Sequence, residues 1–465
     1  MSGVPYCKQR RFGGDSVKQT LFSYLVITSI FVSASWAEFQ VNTRSSNNQA
    51  NAAIAMGADG NFVVVWSSYF GGGRSNDIFG QRFGADTIQI GSEFQINTAT
   101  AGNQTEPSVA MDAEGNFVVT WHGPGVSEED IFARRFDPNG QPLGDEFCVN
   151  SCTESRQQFP NVTMSAAGAF AVVWECEKVE ARVICSQLYD AYGVAVGEEF
   201  EVNGLPDCRY PDVAMDANGN FAVVWMQDKS SNSIIARLYN ADGTVRTEPF
   251  EVSTTGFSSI TRPSIAMAES GDFVVVWDGD PKLASLDDVH GRWYKFDGTA
   301  MGEQFVVNTT VDGAQQNPCV AVNSRGEFVI VWDSKIDPDI NERDIFSQRY
   351  DISCGPIGDE FQVNTHAADD QKYPAVAIRE SGKFVTVWQS YGQDGSGYGI
   401  FGEIGQIVGS ADFNGDGFVN FYDYCVLAEE WLKKENPLKA DLIDDNKIDE
   451  WDLAEFCRQW LTTSH

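Results

Sequence analysis

Gly60-Asn61-Phe62-Val63-Val64-Val65-Trp66 decides the fold, because this chain of 465 residues returns to the pattern seven times. Its Trp recurs as Trp66, Trp121, Trp174, Trp225, Trp277, Trp332 and Trp388, at intervals of 51 to 56 residues. Six positions before each Trp stands Gly60, Gly115, Gly168, Gly219, Gly271, Gly326 or Gly382, and four before it stands a Phe. The residues between Phe and Trp are Val, Ala, Ile or Thr in every copy. One structural unit is therefore built seven times within one chain.

Working outward from that stretch, each copy reads as four strands, a to d. In the second copy the spacing predicts strand a over Pro107–Met111, b over Asn116–Trp121, c over Asp130–Phe136 and d over Glu146–Asn150. Strand b is apolar on both faces, so it is expected to be covered on both sides. The Gly six before Trp supplies the positive φ that the a–b hairpin needs. Strand a opens 14 residues before Trp with Pro107, Pro160, Pro211, Pro263, Pro318 or Pro374, and with Ala52 in the first copy. Strand c carries one small residue throughout, Gly80, Ala133, Ser186, Ala236, Gly291, Ser347 and Gly402, which predicts close approach of a neighbouring sheet. Four-stranded units stacked face to face meet these requirements and predict an all-β fold, a seven-bladed β-propeller.

Strand d predicts how the ring closes. Its Phe-x-Val-Asn pattern ends at Asn97, Asn150, Asn203, Ser253, Asn308 and Asn364, which supplies six blades. The seventh copy is Glu38-Phe39-Gln40-Val41-Asn42, ahead of all the others. The N-terminal strand is thus expected to complete the last blade beside Gly399 to Ile404, removing the free edges of a linear stack.

Residues 1–37 read as a signal peptide. Lys8, Arg10, Arg11 and Lys18 precede an apolar run from Leu21 to Val32, and Ser33-Ala34-Ser35-Trp36-Ala37 resembles a cleavage site. The apolar run is short for a bilayer, so no membrane span is expected in the mature chain, which is read as secreted or displayed on the cell surface. Export makes disulfides available to the nine of the ten Cys that follow Ala37, with Cys176–Cys185 and Cys425–Cys457 as pairs that can be bridged. The net charge of -34 argues against nucleic acid as a partner and favours cations.

Residues 38–408 therefore form the propeller. Stretches such as Gly91-Ser92-Glu93-Phe94-Gln95-Ile96-Asn97 and Gln393 to Gly402 resemble repeats of large secreted bacterial surface proteins, which carry no agreed activity. Residues 409–465 differ in composition. Asp412, Asn414, Asp416, Asn420 and Asp423 place oxygen ligands at positions 1, 3, 5, 9 and 12 of an EF-hand-like loop, with Gly417 at position 6 and the Phe418 carbonyl at position 7. Such a loop predicts bound Ca2+. A second loop offers Asp441, Asp445, Lys447 (by its carbonyl), Asp449 and Asp452, but has Ile443 and Asn446 where a ligand and a glycine are expected. Asp423 in place of a final Glu, and the repeat 29 residues on, resemble a type I dockerin: a small α-helical, calcium-binding module. That resemblance implies a cohesin-like partner, read by Phe421-Tyr422 and Glu450-Trp451.

No catalytic constellation stands out. His122, His290, His366 and His465 fall at unrelated repeat positions, and no nucleophile-turn, metal-protease or phosphate-loop motif is present. Carboxylates crowd the b–c loops, as in Glu128-Glu129-Asp130 and Asp287-Asp288, too many to single out a pair. The Gln393 to Gly399 loop reads as a hairpin, with calcium as the alternative. The expected function is a secreted, non-enzymatic propeller that binds or scaffolds, docked through its C-terminal module. The alternative is a carbohydrate-active enzyme carrying a dockerin, with a polysaccharide or cell-surface glycan as ligand. Function is sought in the b–c loops and the tail.

Overall fold

The computed structural model describes residues 38–407, except 70–74, 127, 152–154, 179–180, 205, 229–231, 254–256, 258, 261, 281–285, 311–312, 336–341 and 352–354. Beyond 407 it describes only Tyr424, Leu427, Leu442, Ile448, 451–453 and 455–456. The segment read as a signal peptide and most of the residues read as a C-terminal module thus lie outside the described residues.

Seven antiparallel sheets follow one another, each in the order a-b-c-d. In the second blade the strands are Thr105–Met111, Phe117–Pro124, Glu129–Phe136 and Phe147–Cys148. In the last they are Gln371–Ile378, Lys383–Tyr391 and Tyr398–Gln406, followed by Phe39–Gln40 from the start of the chain. Phe39 pairs with Gly402 and Gln40 with Phe401, so the N-terminal strand closes the ring. Each strand a lies against the strand a of the next blade, and Gln371–Ile378 returns to Gln49–Met56. These innermost strands surround the axis.

The repeated residues explain the repeated form. Strand b is buried along both faces, and all seven Trp are almost fully buried between sheets. The hairpin glycines hold φ from +78° to +91°, where any side chain would be strained. In four blades the Trp indole N–H donates to a Gln 17 residues earlier, at 2.9–3.1 Å: Gln104, Gln157, Gln315 and Gln371. Blades 4 and 5 have Cys208 and Ile260 there, and Trp225 and Trp277 have no hydrogen-bond partner among the described residues.

Strand d does more than fill an edge. Its Asn accepts from a strand-c amide, as Asn97 does from Ile78 at 2.7 Å and Asn42 from Ile400 at 2.7 Å across the ring closure. The Glu before its Phe reaches the preceding blade: Glu93 accepts from Thr43, Glu146 from Thr98, Glu199 from Ser151 and Glu360 from Thr310. Glu38 does the same for the Thr365 and His366 amides, so the latch also spans the ring closure; blades 4 and 5 have Pro249 and Gln304 in that place.

One expectation is corrected. The small residue on strand c makes room for its own blade, not for a neighbouring sheet. Each is paired directly with the strand-d Phe, from Gly80 with Phe94 to Gly402 with Phe39. A Cβ on Gly291 would meet the Phe305 ring at 2.7 Å, and one on Gly402 the Phe39 ring at 2.8 Å. The ring lies across the strand, so only a small residue fits beneath it.

Cys176 and Cys185 are neighbouring, buried thiols on adjoining strands; Cys425 and Cys457 lie outside the described residues. No described helix is long and apolar enough to cross a membrane.

Candidate functional site

The same proline that opens strand a in the sequence marks a break in its ladder. In six blades the register with strand b shifts there, as between Thr105 and Ser108 or Arg209 and Asp212. The residue before the Pro (or Ala52) is forced to positive φ: Asn51 57°, Glu106 52°, Phe159 52°, Tyr210 51°, Asn317 54° and Tyr373 51°. Bulky residues rarely adopt this backbone, and the bulge turns each of them out of the ladder. Arg262 takes the equivalent place in blade 5. Because strands a form the inner ring, the seven residues stand around the axis, at the end that also carries the b–c loops.

Buried groups hold this strained turn in place. The residue after each Trp is Ser67, His122, Glu175, Met226, Asp278, Asp333 or Gln389, and all are buried. Several cap the bulge amide of the following blade: Glu175 accepts from the Tyr210 N–H at 3.5 Å, Asp333 from Tyr373 at 3.2 Å and Gln389 from Asn51 at 3.3 Å. Asp333 also accepts from Asn317 Nδ2 at 2.8 Å and is paired with Arg343. Burial pushes the Asp333 carboxyl upward, opposed by Arg343. Burial likewise raises Glu175, opposed by Arg182 at 3.6 Å, and lowers His122, which shares a 2.9 Å hydrogen bond with Thr105.

Above these supports the side chains differ from blade to blade. A cavity of about 410 Å³ is lined by Arg209, Tyr210, Asp228, Asn232, Arg262 and Tyr373, with Met226, Ile260 and Asn317. Arg262 reaches from blade 5 to Glu106 of blade 2 at 3.0 Å, lying over the Phe159 ring at 4.8 Å and the Tyr210 ring at 5.0 Å. Glu106 also accepts from Asn51 at 2.9 Å. Arg209 faces Asp228 at 3.5 Å, while its Nε is buried without a hydrogen-bond partner among the described residues. Each guanidinium thus has one carboxylate opposite, and the mouth is charge-balanced within an acidic protein. The half-exposed pairs cost little to rearrange, because solvent screens them. Tyr373 presents an exposed ring to the same cavity.

The b–c loop of blade 4 contributes Asp228 and Asn232, as expected of that end of the molecule. The bulge residues were not anticipated. Their signal was a position of unlike residues placed immediately before a fixed Pro. Of the expected calcium ligands, Asp412, Asn414, Asp416, Phe418, Asn420, Asp423, Asp441, Asp445, Lys447 and Asp449 lie outside the described residues. Asp452 is described: it is fully buried, and its Oδ1 accepts the Leu442 N–H at 2.6 Å. Leu427, Leu442 and Phe456 are buried and Tyr424 packs against Phe456 with ring centroids 5.9 Å apart, whereas Trp451 is 55% exposed. No cluster of three metal-ligating His, Cys, Asp or Glu side chains occurs among the described residues.

No protein-family model matches the chain, and no curated protein matches it in sequence. Solved structures do resemble it. A protein of unknown function from Dyadobacter fermentans DSM 18053 aligns with a TM-score of 0.51 and 11% identity, over 80% of this chain and 98% of its own. An ulvan lyase of polysaccharide lyase family PL25, bound to -[GlcA(1-4)Rha3S]-, aligns with a TM-score of 0.50 and 10% identity, over 80% and 95%. The polysaccharide lyase Uly1 gives 0.50 and 10%, over 80% and 99%. At such identities the likeness is one of fold, and function has to be argued from the site.

Proposed function

We propose that this protein is a carbohydrate-active β-propeller that holds a saccharide in the axial mouth. One observation carries the reading. A strained bulge is repeated around the axis in six blades, yet the side chains it presents are unlike one another: two tyrosines, a phenylalanine, two asparagines and a glutamate, with Arg262 in the equivalent sequence place of blade 5. A purely architectural position would repeat its residue as it repeats its backbone. Aromatic faces suit the C–H face of a sugar ring, and planar amide, guanidinium and carboxylate groups suit its hydroxyls. The cavity of about 410 Å³ is within the range of small-ligand sites. The glycan-related names among the similar folds agree with this chemistry and are not its basis.

The test is a screen of the full chain against polysaccharides and glycans, read for both binding and new chain ends. Binding that weakens at least tenfold in Tyr373→Ala and in Arg209→Met supports the site. Binding or cleavage that both variants retain in full would move the site elsewhere.

The C-terminal module remains a proposal of its own. A calcium ion held by Asp412, Asn414, Asp416, Phe418, Asn420 and Asp423 would order the first loop, and Asp452 already ties the last position of the second loop to its second residue. We propose that this module docks the secreted propeller to a partner, with exposed Trp451 in the contact surface. Chelation is expected to remove partner binding while leaving saccharide binding at the mouth unchanged.

A further inference from the structure

The seventh blade breaks a rule that the other six keep. One residue beyond the small position on strand c stand Gln81, Arg134, Gln187, Arg237, Arg292 and Gln348, all hydrogen-bond donors. Each donates to main-chain carbonyls in the segment that leads into strand d of its own blade. Gln81 reaches Ile90 and Gly91, Arg134 Gly144, Gln187 Val196, Arg237 Thr247, Arg292 Gly302 and Gln348 Gly358. In blade 7 the same position is Glu403, which can only accept when ionised.

No donor reaches its Oε2 among the described residues, and no Lys or Arg is paired with it across either neighbouring strand. Across the sheet on one side, Glu403 pairs with Thr386. The other blades have Val or Ile in that place. On the other side the ladder Phe39↔Gly402, Gln40↔Phe401 puts Glu38 opposite Glu403. Glu403 Oε2 and Thr386 Oγ1 are both buried without a hydrogen-bond partner among the described residues. The facing Glu38 carboxylate is committed elsewhere, accepting from the Thr365 and His366 amides and from Gln393. Burial and the Glu38 charge raise the Glu403 carboxyl to about 8. A buried acceptor beside a second carboxylate costs free energy unless a donor reaches it.

Blade 7 is also the only blade whose strand d is not led into by its own strand c, because that strand comes from the start of the chain. We propose that the donor is the α-amino group freed by cleavage between Ala37 and Glu38, and that its pairing with Glu403 locks the closed ring. The polarity of the contact is inverted relative to the other blades. There a side chain donates to the chain leading into strand d; here the end of that chain donates to a side chain. The inference rests on removal of residues 1–37 and is independent of the saccharide reading.

The experiment compares three full-length mature chains: one beginning at Glu38, one retaining Ala37, and the first with its α-amino group acetylated. Hydrogen exchange of the Val41 amide, which donates to Ile400 across the closing strand pair, reports the lock. The Glu38 chain is expected to exchange about tenfold more slowly at pH 7 than either other chain, the scale of one charge-assisted hydrogen bond. Glu403→Gln should erase that difference, by accelerating exchange in the Glu38 chain and not in the extended one. The pH dependence supplies a second readout. In the extended chain the folded pKa of Glu403 lies above its unfolded value of about 4.3, so its contribution to stability is full below that value. That contribution is lost as pH rises to about 8. In the Glu38 chain the α-ammonium group should remove that loss. Equal exchange in all three chains, or an unchanged pH profile, would overturn the proposal.

Discussion

Strand b is repeated seven times and the bulge at the head of strand a six times, and they teach opposite things. In strand b the side chains repeat with the backbone: Phe, a β-branched or small run, then Trp, buried in every blade. At the bulge only the backbone repeats, and Asn51, Glu106, Phe159, Tyr210, Asn317 and Tyr373 share neither size nor charge. Repetition of both is what packing between sheets demands. Repetition of backbone alone is what a scaffold looks like when it holds a set of different groups around one point.

Mutation can break that comparison. Trp174→Ala in the scaffold is expected to cost about 3–5 kcal/mol in a denaturant titration, as for other buried aromatic truncations. Gly291→Val should cost about 1–3 kcal/mol by the same measurement, because its side chain would meet the Phe305 ring. Gln315→Leu leaves the buried Trp332 N–H without its acceptor and is expected to cost about 1–3 kcal/mol. Trp277, which has no such acceptor, provides the internal control: Ile260→Val should show only the smaller loss of a methyl group, about 0.5–1.5 kcal/mol. Tyr373→Ala, at an exposed bulge position, should alter stability by no more than about 0.5 kcal/mol. Its effect should appear in saccharide binding instead.

Much of the scaffold was legible in the sequence because its causes are local. Gly60 and its counterparts must supply a positive φ, and a strand apolar on both faces must be covered twice. An N-terminal copy of Phe-x-Val-Asn must find a sheet that lacks one. The small strand-c residues were noticed for the right reason, steric room, but the occupant was assigned to the wrong element. Which side chain fills a gap depends on cross-strand register, and Phe39 opposite Gly402 becomes visible only once the strands are paired. The mouth was hidden for a related reason. Pro107 and its equivalents read as the first residue of strand a, whereas the strand starts earlier and bulges at that point. Glu106 and Tyr210 therefore fall just outside the strand that the sequence predicts. Arg262 and Glu106 lie 156 residues apart, and no spacing rule predicts that they meet.

The central claim is that the unlike bulge residues form one saccharide site on a uniform scaffold. The most direct measurement is isothermal titration of the full chain with the best glycan from the screen, repeated for Tyr373→Ala and for Trp174→Ala under conditions where both are folded. The account predicts that Tyr373→Ala weakens binding at least tenfold while Trp174→Ala, at a residue that does not line the cavity, binds within about twofold of the parent. Loss of binding in the scaffold variant alone, with Tyr373→Ala unaffected, would contradict it.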